Sequence, residues 1–314
     1  MPTVLTVLLN YKTPEMTLKA AEAAVAAMAG IAGEITIVDN DSQDGSFEAL
    51  EAGVAAKGWD RVRVMQSGRN GGFGAGNNFG IHAGLSDGSK PDYAYILNSD
   101  AFPAEDAIQR LLDYLETHQA VDFAGSYIHG PEGDAHQTCF RFPSIASEFE
   151  SAARTGPISR LLKKSIVALP VPEASGRVDW LAGASVMMRQ STLDRIGLFD
   201  ETFFLYFEET DLCLRLARAG GQVHFVRDSA VAHIGSVSTG MKGWDRVPGY
   251  WFDSRWHYFR KNHGTLYAIG ATLAQSLGSG ILGLRRLVSK KAQPRQPHFL
   301  RDLLAHDMRA LFRS

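Results

Sequence analysis

Acidic and histidine side chains follow several short apolar runs of this 314-residue chain, where they can bind ions or transfer protons. Asp39 and Asp100 each follow an apolar run in the first third of the chain, and His233 follows another much later. Two adjacent acids, Glu208 and Glu209, precede a segment of helical periodicity. These residues are the first candidates for metal binding or catalysis.

Strand and helix patterns alternate over the first 130 residues, and these elements must position Asp39 and Asp100. Strands are predicted at 4–9, 34–39, 61–65 and 93–97, with helices after Thr13-Pro14 and near 46–56, 75–86 and 104–118. This alternation indicates an α/β fold with a mostly parallel central sheet flanked by helices. The carboxyl ends of parallel strands meet at one edge, so the polar residues after each strand are expected to share a cleft.

The remainder of the chain is less regular. Prolines and glycines between residues 130 and 177 predict a connecting insertion. Regular structure is expected to resume at 178–184, with helices near 191–196 and 210–219. The glycine-dotted segment 236–249 is predicted to close over a bound substrate.

Two features of the predicted cleft suit a nucleotide. Tyr11 can form a wall for a nucleobase, and Asp39 can accept from its ring N–H, although strand-end turn chemistry also explains Asp39. The glycine-rich stretch 70–80 leads into a helix, and its backbone can approach an anionic group closely. Tight helix–sheet packing is the alternative, and the glycines lack the dinucleotide-binding spacing.

A divalent cation that bridges two phosphates needs few protein oxygens, and Asp100 can supply one. The alternative is that Asp100 caps the helix near residue 104. His233 lies at another predicted strand end, where a structural, hydrogen-bonded histidine is equally expected.

The acids at 208–211 precede a helix that contains Arg215 and Arg218, so part of their role is to complement the helix dipole. Phe204 and Phe207 flank the acids and can raise the pKa of a carboxyl group toward that of a general base.

Composition and the C-terminal pattern bear on location. Two cysteines exclude a disulfide framework and favour a cytoplasmic setting. Residues 265–284 carry no charge, but their glycines and the following Arg285-Arg286 favour a helix on the membrane surface over a membrane span. Residues 285–314 contain eight Lys or Arg and two Asp, with apolar residues at helical spacing. This pattern predicts an amphipathic, basic extension at the inner face of the cytoplasmic membrane, and a solvated tail is the alternative.

The order of the motifs resembles that of family 2 glycosyltransferases, especially bacterial rhamnosyltransferase-like members that build surface polysaccharides. The likeness extends over residues 3–264. The motifs that carry it are Leu9-Asn10-Tyr11, Ile37-Val38-Asp39-Asn40-Asp41-Ser42, 70–80, Leu97-Asn98-Ser99-Asp100, Asp179-Trp180-Leu181-Ala182-Gly183-Ala184, 197–201, 206–215 and His233-Ile234-Gly235-Ser236.

This resemblance implies a GT-A fold over 1–264, with a nucleotide-binding half at about 1–128 and an acceptor half at about 178–264, followed by the helical extension 265–314. It implies an inverting, Mn²⁺- or Mg²⁺-dependent sugar transfer to a hydroxyl of a glycan or polyprenyl-linked acceptor. The expected donor is dTDP-L-rhamnose, with a UDP-hexose second, and no nucleic acid partner is expected.

The resemblance also implies roles for individual residues. Glu209, or its neighbour Glu208, would be the catalytic base. Asp100 and His233 would hold the metal. The nucleotide-sugar would contact Asn10, Tyr11, Asp39, Asn70, Asn78, Asn98 and Asp100, and the acceptor side would include Trp180, Gly183 and Asp211.

Two departures from the family pattern stand out. The family usually has Glu-Asp where this chain has Glu208-Glu209, and commonly Asp-x-Asp where this chain has Asn98-Ser99-Asp100. The second change removes one charge from the expected metal site. A sugar nucleotidyltransferase and a catalytically silent nucleotide- or glycan-binding module are the alternative functions. The former should carry a basic phosphate-binding loop after the first strand, which residues 10–14 do not provide.

Overall fold

The computed structural model describes residues 1–235, 244–288 and 296–312, which fold around a central β-sheet. The strands of this sheet are β1 (Thr3–Asn10), β2 (Ala32–Asp39), β3 (Val62–Gln66), β4 (Tyr93–Asn98), β5 (Ala101–Pro103), β6 (Phe123–His129), β8 (Gly176–Val178), β10 (Ser185–Arg189) and β11 (Val223–His233). A separate ribbon pairs β7 (Cys139–Phe140) with β9 (Trp180–Leu181).

The helices are α1 (Pro14–Ala27), α2 (Ser46–Lys57), α3 (Gly72–Ala83), α4 (Ala107–Thr117), α5 (Ile145–Ala153), α6 (Gly156–Leu161), α7 (Gln190–Ile196), α8 (Glu208–Arg218), α9 (Gly249–His263), α10 (Thr265–Val288) and α11 (Phe299–Leu311). A 3₁₀ turn, Lys163–Ser165, follows α6. Helices α1, α2 and α4 pack on one face of the sheet, and α3, α7 and α8 pack on the other.

The sheet order is β3-β2-β1-β4-β10-β6-β11-β5, with β8 paired to β11. Strands β1 to β4 pair in parallel, which confirms the predicted βαβ arrangement of the first half. Strand β10 is inserted antiparallel between β4 and β6. The later part of the chain therefore extends the same sheet.

Strand β1 shows why the sequence folds this way. Val4 and Leu8 pack into the core on one face, while Leu5 and Val7 pack into the core on the other. A strand buried on both faces needs a continuous apolar run, which is the pattern of residues 4–9.

The glycine-rich stretch is a helix and not an open loop, since α3 begins at Gly72. A Cβ on Gly76 would lie 2.3 Å from Leu9 Cδ1, and a Cβ on Gly80 would lie 2.7 Å from Val7 Cγ1. These glycines let α3 approach β1, so close helix–sheet packing accounts for them.

The predicted insertion at 130–177 contains helices α5 and α6, which the sequence pattern does not predict. Strand β6 and helix α9 were not predicted either. A Cβ on Gly278 of α10 would lie 2.6 Å from the carbonyl oxygen of Phe149 in α5. The backbones of α10 and α5 therefore meet closely, and the extension packs onto the insertion. Within the described residues, we find no helix with the length and apolar character needed to cross a bilayer.

Gly72 and Gly45 provide a matched test of the close contact between the start of α3 and the backbone of Phe204. Both have φ of +86°, but a Cβ on Gly72 would lie 1.8 Å from the carbonyl oxygen of Phe204, whereas a Cβ on Gly45 would meet nothing within 4 Å. We expect Gly45→Ala to lower the free energy of unfolding by about 1–2 kcal/mol through backbone strain alone. Gly72→Ala should cost about 1–3 kcal/mol more because of the clash. Urea unfolding measures both, and equal losses would show that the Gly72 contact relaxes freely.

Candidate active site

The ends of β1, β2 and β4 bring three polar residues to one edge of the sheet. The strand register places Asn10 beside Asp39 and Leu9 beside Asn98. This arrangement matches the cleft expected from the sequence.

Asp39 and Asn10 are fully buried and bonded to each other. The amide of Asn10 donates to Asp39 Oδ1 at 2.7 Å, and Ser42 donates its hydroxyl to the same oxygen at 2.6 Å and its backbone N–H to Oδ2 at 3.1 Å. Asn10 Oδ1 in turn accepts from the hydroxyl of Thr17 at 2.8 Å. These bonds give Asp39 the strand-end turn role and leave its side chain with no exposed surface, so its predicted contact with a nucleobase stays a prediction.

A second polar contact joins the loop after β2 to the loop before α3. Asn40 donates to Asn70 Oδ1 at 3.1 Å, and the same oxygen accepts from the backbone N–H of Gly72. Asn40 lies in a motif that carries the family resemblance, but it is not among the predicted nucleotide-sugar contacts. Asn70 and Tyr11 are each half-buried, so both retain surface that a ligand can contact.

Asn78 does not line the cleft as expected. It is 3% exposed, its amide donates to the carbonyl of Phe199 at 2.9 Å, and its carbonyl accepts from the Phe199 N–H at 3.1 Å. The structure therefore corrects the nucleotide-contact prediction, because Asn78 fastens α3 to the segment that precedes α8.

Asp100 and His233 meet where β5 pairs with β11. His233 Nε2 lies 3.0 Å from Asp100 Oδ1 and 3.4 Å from the amide nitrogen of Asn98. Asp106, not Asp100, occupies the N-cap position of α4, so the capping alternative for Asp100 is wrong. The two residues predicted to bind a metal are thus adjacent.

The carboxylate of Asp100 is a ligand type that suits Mn²⁺ and Mg²⁺ bound mainly by phosphate and water oxygens, whereas the imidazole of His233 is a nitrogen ligand of transition metals, so the pair suits Mn²⁺ better than Mg²⁺. Among the described residues, no group of three or more His, Cys, Asp or Glu could enclose an ion. The pair therefore fits a shared, substrate-dependent metal and not a closed structural site. His136, whose ring centroid lies 6.3 Å from that of His233, borders the pair and was not predicted, because nothing in its sequence context distinguishes it.

Glu208 and Glu209 begin α8 after an unusual turn. Tyr206 and Phe207 both have left-handed backbone conformations, with φ of +70° and +69°. Each such non-glycine residue costs about 1–3 kcal/mol, and strain of this kind concentrates at functional sites. The turn directs both carboxyl groups inward at the helix N-terminus.

Burial raises the pKa of both carboxyl groups. For Glu208, 2% exposed, burial and then the charge of Glu209 raise the pKa well above its usual value. Burial also raises the pKa of Glu209, although backbone N–H groups of Glu209 and Gly183 partly oppose this shift. One oxygen of each carboxyl group is buried with no hydrogen-bond partner among the described residues. An acceptor hydroxyl could satisfy such an oxygen.

Glu209 is better placed than Glu208 to act on a substrate. It is half-buried instead of enclosed, and Gly183 lies against it, with a Cβ position 3.7 Å from Glu209 Oε1. A cavity of about 20 Å³ beside Glu209 and Gly183 is lined otherwise by apolar core residues such as Ile96 and Phe123, so it is a packing void and not a water site. A general base in this position would act directly on a hydroxyl within hydrogen-bond reach.

The backbone brings the two parts of the site together. The Asn98 N–H donates to the carbonyl of Ala184 at 3.0 Å, and Gly183 next to it donates to Glu209. Asp100 follows Asn98 by two residues, so the metal-type pair and the acid pair flank the same β4–β10 junction. Trp180 lies on the adjoining ribbon, where it stacks on Phe140 with centroids 4.1 Å apart, and its predicted acceptor contact stays a prediction.

Asp211 is fully buried and bonded to three neighbouring side chains. Its carboxylate bonds to Arg215 Nε at 2.9 Å, Lys261 Nζ at 2.7 Å and Asn262 Nδ2 at 2.8 Å. This network ties α8 to α9, so the acceptor-side prediction for Asp211 is corrected to a structural role. The predicted covering segment 236–249 falls partly outside the described residues, which omit 236–243.

Comparison with known proteins identifies the family. The family model described as glycosyl transferase family 2 matches residues 4–166, more than half of the chain. The chain belongs to glycosyltransferase family 2. An N-acetylglucosaminyl-diphospho-decaprenol L-rhamnosyltransferase of Mycobacterium tuberculosis is 30% identical over 216 residues, 66% of this chain and 68% of that protein. The rhamnosyltransferase WbbL of Escherichia coli K12 is 30% identical over 159 residues, 49% of this chain and 58% of WbbL.

Solved structures confirm the GT-A fold of this glycosyltransferase. A mannosyltransferase from Pyrobaculum calidifontis, in complex with GDP-Man and Mn²⁺, aligns over 99% of this chain and 86% of its own with a TM-score of 0.55 at 11% identity. GalNAc-T7 with UDP, GalNAc and Mn²⁺ aligns over 99% of this chain and 58% of its own with a TM-score of 0.59 at 14% identity.

The role of Asp211 can be tested by stability. We expect Asp211→Asn to lower the free energy of unfolding by about 3 kcal/mol, since Arg215 and Lys261 lose a buried partner. Asp194→Asn, which weakens the exposed Lys90 pair, should cost less than about 1 kcal/mol. Chemical denaturation compares the two. An Asp211→Asn protein of unchanged stability but weaker acceptor binding would restore the acceptor-side role.

Proposed function

We propose that the protein is an inverting, metal-dependent glycosyltransferase that moves a sugar from a nucleotide donor to a hydroxyl of a lipid-linked glycan. The observation that supports this most is the placement of Asp100–His233 and Glu208–Glu209 on the two sides of the β4–β10 junction. A pair of metal ligands and a general base are two groups that assist a single displacement, one at the leaving diphosphate and the other at the attacking hydroxyl.

The proposed reaction is one in-line step. Glu209 takes the proton of the acceptor hydroxyl, whose oxygen attacks the anomeric carbon as the bond from that carbon to the diphosphate oxygen breaks. The nucleoside diphosphate leaves on the face opposite the attack, so the anomeric configuration inverts. A divalent cation held by Asp100 and His233 would neutralise the charge of the leaving diphosphate.

The other residues of the site shape the cleft and position the donor. Asp39, Asn10 and Ser42 hold the strand ends that form the cleft, while Tyr11 and Asn70 offer partly exposed surface to the nucleotide. Asn98, half-buried beside His233, borders the proposed diphosphate site.

We propose dTDP-L-rhamnose as the donor, ahead of a UDP-hexose, and the relatives' names support the rhamnosyl group of this donor. The name of the mycobacterial relative makes a decaprenol-linked glycan the model for the acceptor. Such a polyprenyl-linked acceptor would place the transfer at the inner face of the cytoplasmic membrane. A thermal-shift screen of dTDP-L-rhamnose and UDP-hexoses, each with Mn²⁺ and with EDTA, tests the donor. Nucleotide binding without transfer or donor hydrolysis would instead indicate a binding module.

The two glutamates should respond differently to the same substitution. We expect Glu209→Gln to lower the transfer rate by on the order of 10²–10⁴ while donor binding persists, because the base is lost. Glu208→Gln should retain most activity, since Glu208 is only 2% exposed and the amide keeps the size and shape of the enclosed side chain. Rate measurements with saturating donor compare the variants. The reverse ranking would make Glu208 the base.

The raised pKa of Glu209 also predicts the pH dependence of transfer. The carboxylate is the active form, so the rate should rise with pH and level off only above the raised pKa of Glu209. An acidic limb centred at the usual glutamate pKa would contradict this environment. The pH profile of kcat measures it.

Asp100 should control metal affinity. We expect Asp100→Asn to weaken Mn²⁺ binding in the presence of nucleoside diphosphate by at least about tenfold, the scale seen when metal-site partners are removed. Asp106→Asn, which changes an exposed carboxylate at the start of α4, is the matched control. Calorimetric titration with Mn²⁺ measures both, and equal affinities would exclude Asp100 from the metal site.

A further inference from the structure

One surface of the molecule combines exposed leucines with basic side chains. It is formed by α6, the 3₁₀ turn after it and one side of α10, and we call it the α6–α10 face. Its leucines are between 57% and 86% exposed, and they are Leu161, Leu266, Leu273, Leu277, Leu284 and Leu287. Its exposed basic residues are Arg154, Arg160, Lys163, Lys164, Arg285 and Arg286.

The leucines of α10 lie on one side of the helix. They recur at intervals of three, four or seven residues, which places them on a single stripe. The opposite side of α10 is buried, with Ala268 and Ala271 in the core and Thr272 bonded to Asp307 of α11. Packing among residues 1–235, 244–288 and 296–312 therefore explains one side of α10 and provides no partner for the leucine stripe.

An apolar groove adjoins this stripe between α5, α6 and α10. Its volume is about 630 Å³, and Ile145, Phe149, Leu161, Leu162 and Leu277 contribute to its lining. Charged residues are absent from the lining, which consists of described residues of the three helices together with Ser144 and Leu162. Arg285 donates to the carbonyl of Arg154 at the end of α5, so cations border the same region.

The charge of this face selects the kind of partner. Neither 154–165 nor 265–288 contains an aspartate or glutamate, whereas the two segments carry six Lys or Arg. A second copy of the chain would bring these like charges together, which opposes association through this face. An anionic lipid surface instead complements the cations and accepts the leucines at the boundary between headgroups and acyl chains.

We propose that the α6–α10 face binds the surface of an anionic lipid bilayer, with the leucine stripe at the acyl boundary and the groove open to a lipid chain. The leucines and the cations act together, since neither a short apolar stripe nor six charges alone holds a protein firmly to a membrane. This surface includes the insertion helix α6 as well as the C-terminal extension. The argument for lipid binding is independent of the proposed function. Only the role of that binding, to bring a lipid-linked acceptor to the site, rests on the proposed function.

Vesicle flotation of the full chain tests the proposal. Vesicles of phosphatidylcholine alone are compared with vesicles that contain phosphatidylglycerol, at low and high salt. We expect at least tenfold stronger binding to the anionic vesicles, weakened by salt. Equal binding to both, or binding to neither, would overturn the proposal.

Two double variants separate the components of the face. Lys163→Glu with Lys164→Glu should lower binding to anionic vesicles at least tenfold, and Leu273→Ser with Leu277→Ser should do the same. All four positions are exposed, so folding should be retained, which circular dichroism verifies. Lys19→Glu with Lys57→Glu makes the same charge change on α1 and α2 and should leave binding unchanged.

The outcomes distinguish this proposal from its alternatives. Undiminished vesicle binding by both face variants would overturn it, as would an equal loss in the Lys19/Lys57 control. A dimer seen by light scattering that Leu273→Ser with Leu277→Ser dissociates, in a protein that ignores vesicles, would make the face a copy–copy interface. Nucleotide-sugar binding, measured in solution on the same variants, reports on the proposed function independently of the lipid result.

Discussion

The pairing of β10 with β4 is the constraint on which the candidate site depends. Strand β4 ends the parallel run β3-β2-β1-β4, and β10 enters from a later part of the chain in the opposite direction. Antiparallel entry places the residues just before β10 next to the residues at the end of β4. Gly183 and Asn98 become neighbours for this reason. Gly183 donates a hydrogen bond to Glu209, and Asn98 contacts His233.

The buried polar groups of the site fall into two physical kinds. The carboxylate of Asp39 is enclosed but accepts hydrogen bonds from two residues, so its burial stabilises the geometry of the cleft. The carboxyl groups of Glu208 and Glu209 each keep a buried oxygen without a partner, and their pKa is raised as a result of burial. The hydrogen-bonded carboxylate of Asp39 therefore stabilises the cleft, whereas the carboxyl groups without partners are the ones available to accept a proton.

Much of the first half could be predicted from the sequence, because β1 to β4 are short apolar runs that end in polar residues and alternate with helices. The adjacency of Asp100 and His233 was also predicted, although only through the resemblance to a family. Asn78 and Asp211 were misassigned because a polar residue within a motif has the same sequence signature whether it contacts a ligand or a neighbouring backbone. The partners of Asn78 and Asp211 lie on other elements, and spacing along the chain gives no indication of them. Helices α5 and α6 were missed because prolines and glycines around them obscure their short periodicity.

The close contact between Gly278 and Phe149 has a consequence for the order in which the chain acquires its structure. Helix α5 emerges from the ribosome well before α10, which covers it through that contact. Until α10 arrives, the apolar side of α5 faces solvent beside an otherwise complete sheet. The nascent protein thus passes through a stage at which a chaperone can bind α5, and the synthesis of α10 ends that stage.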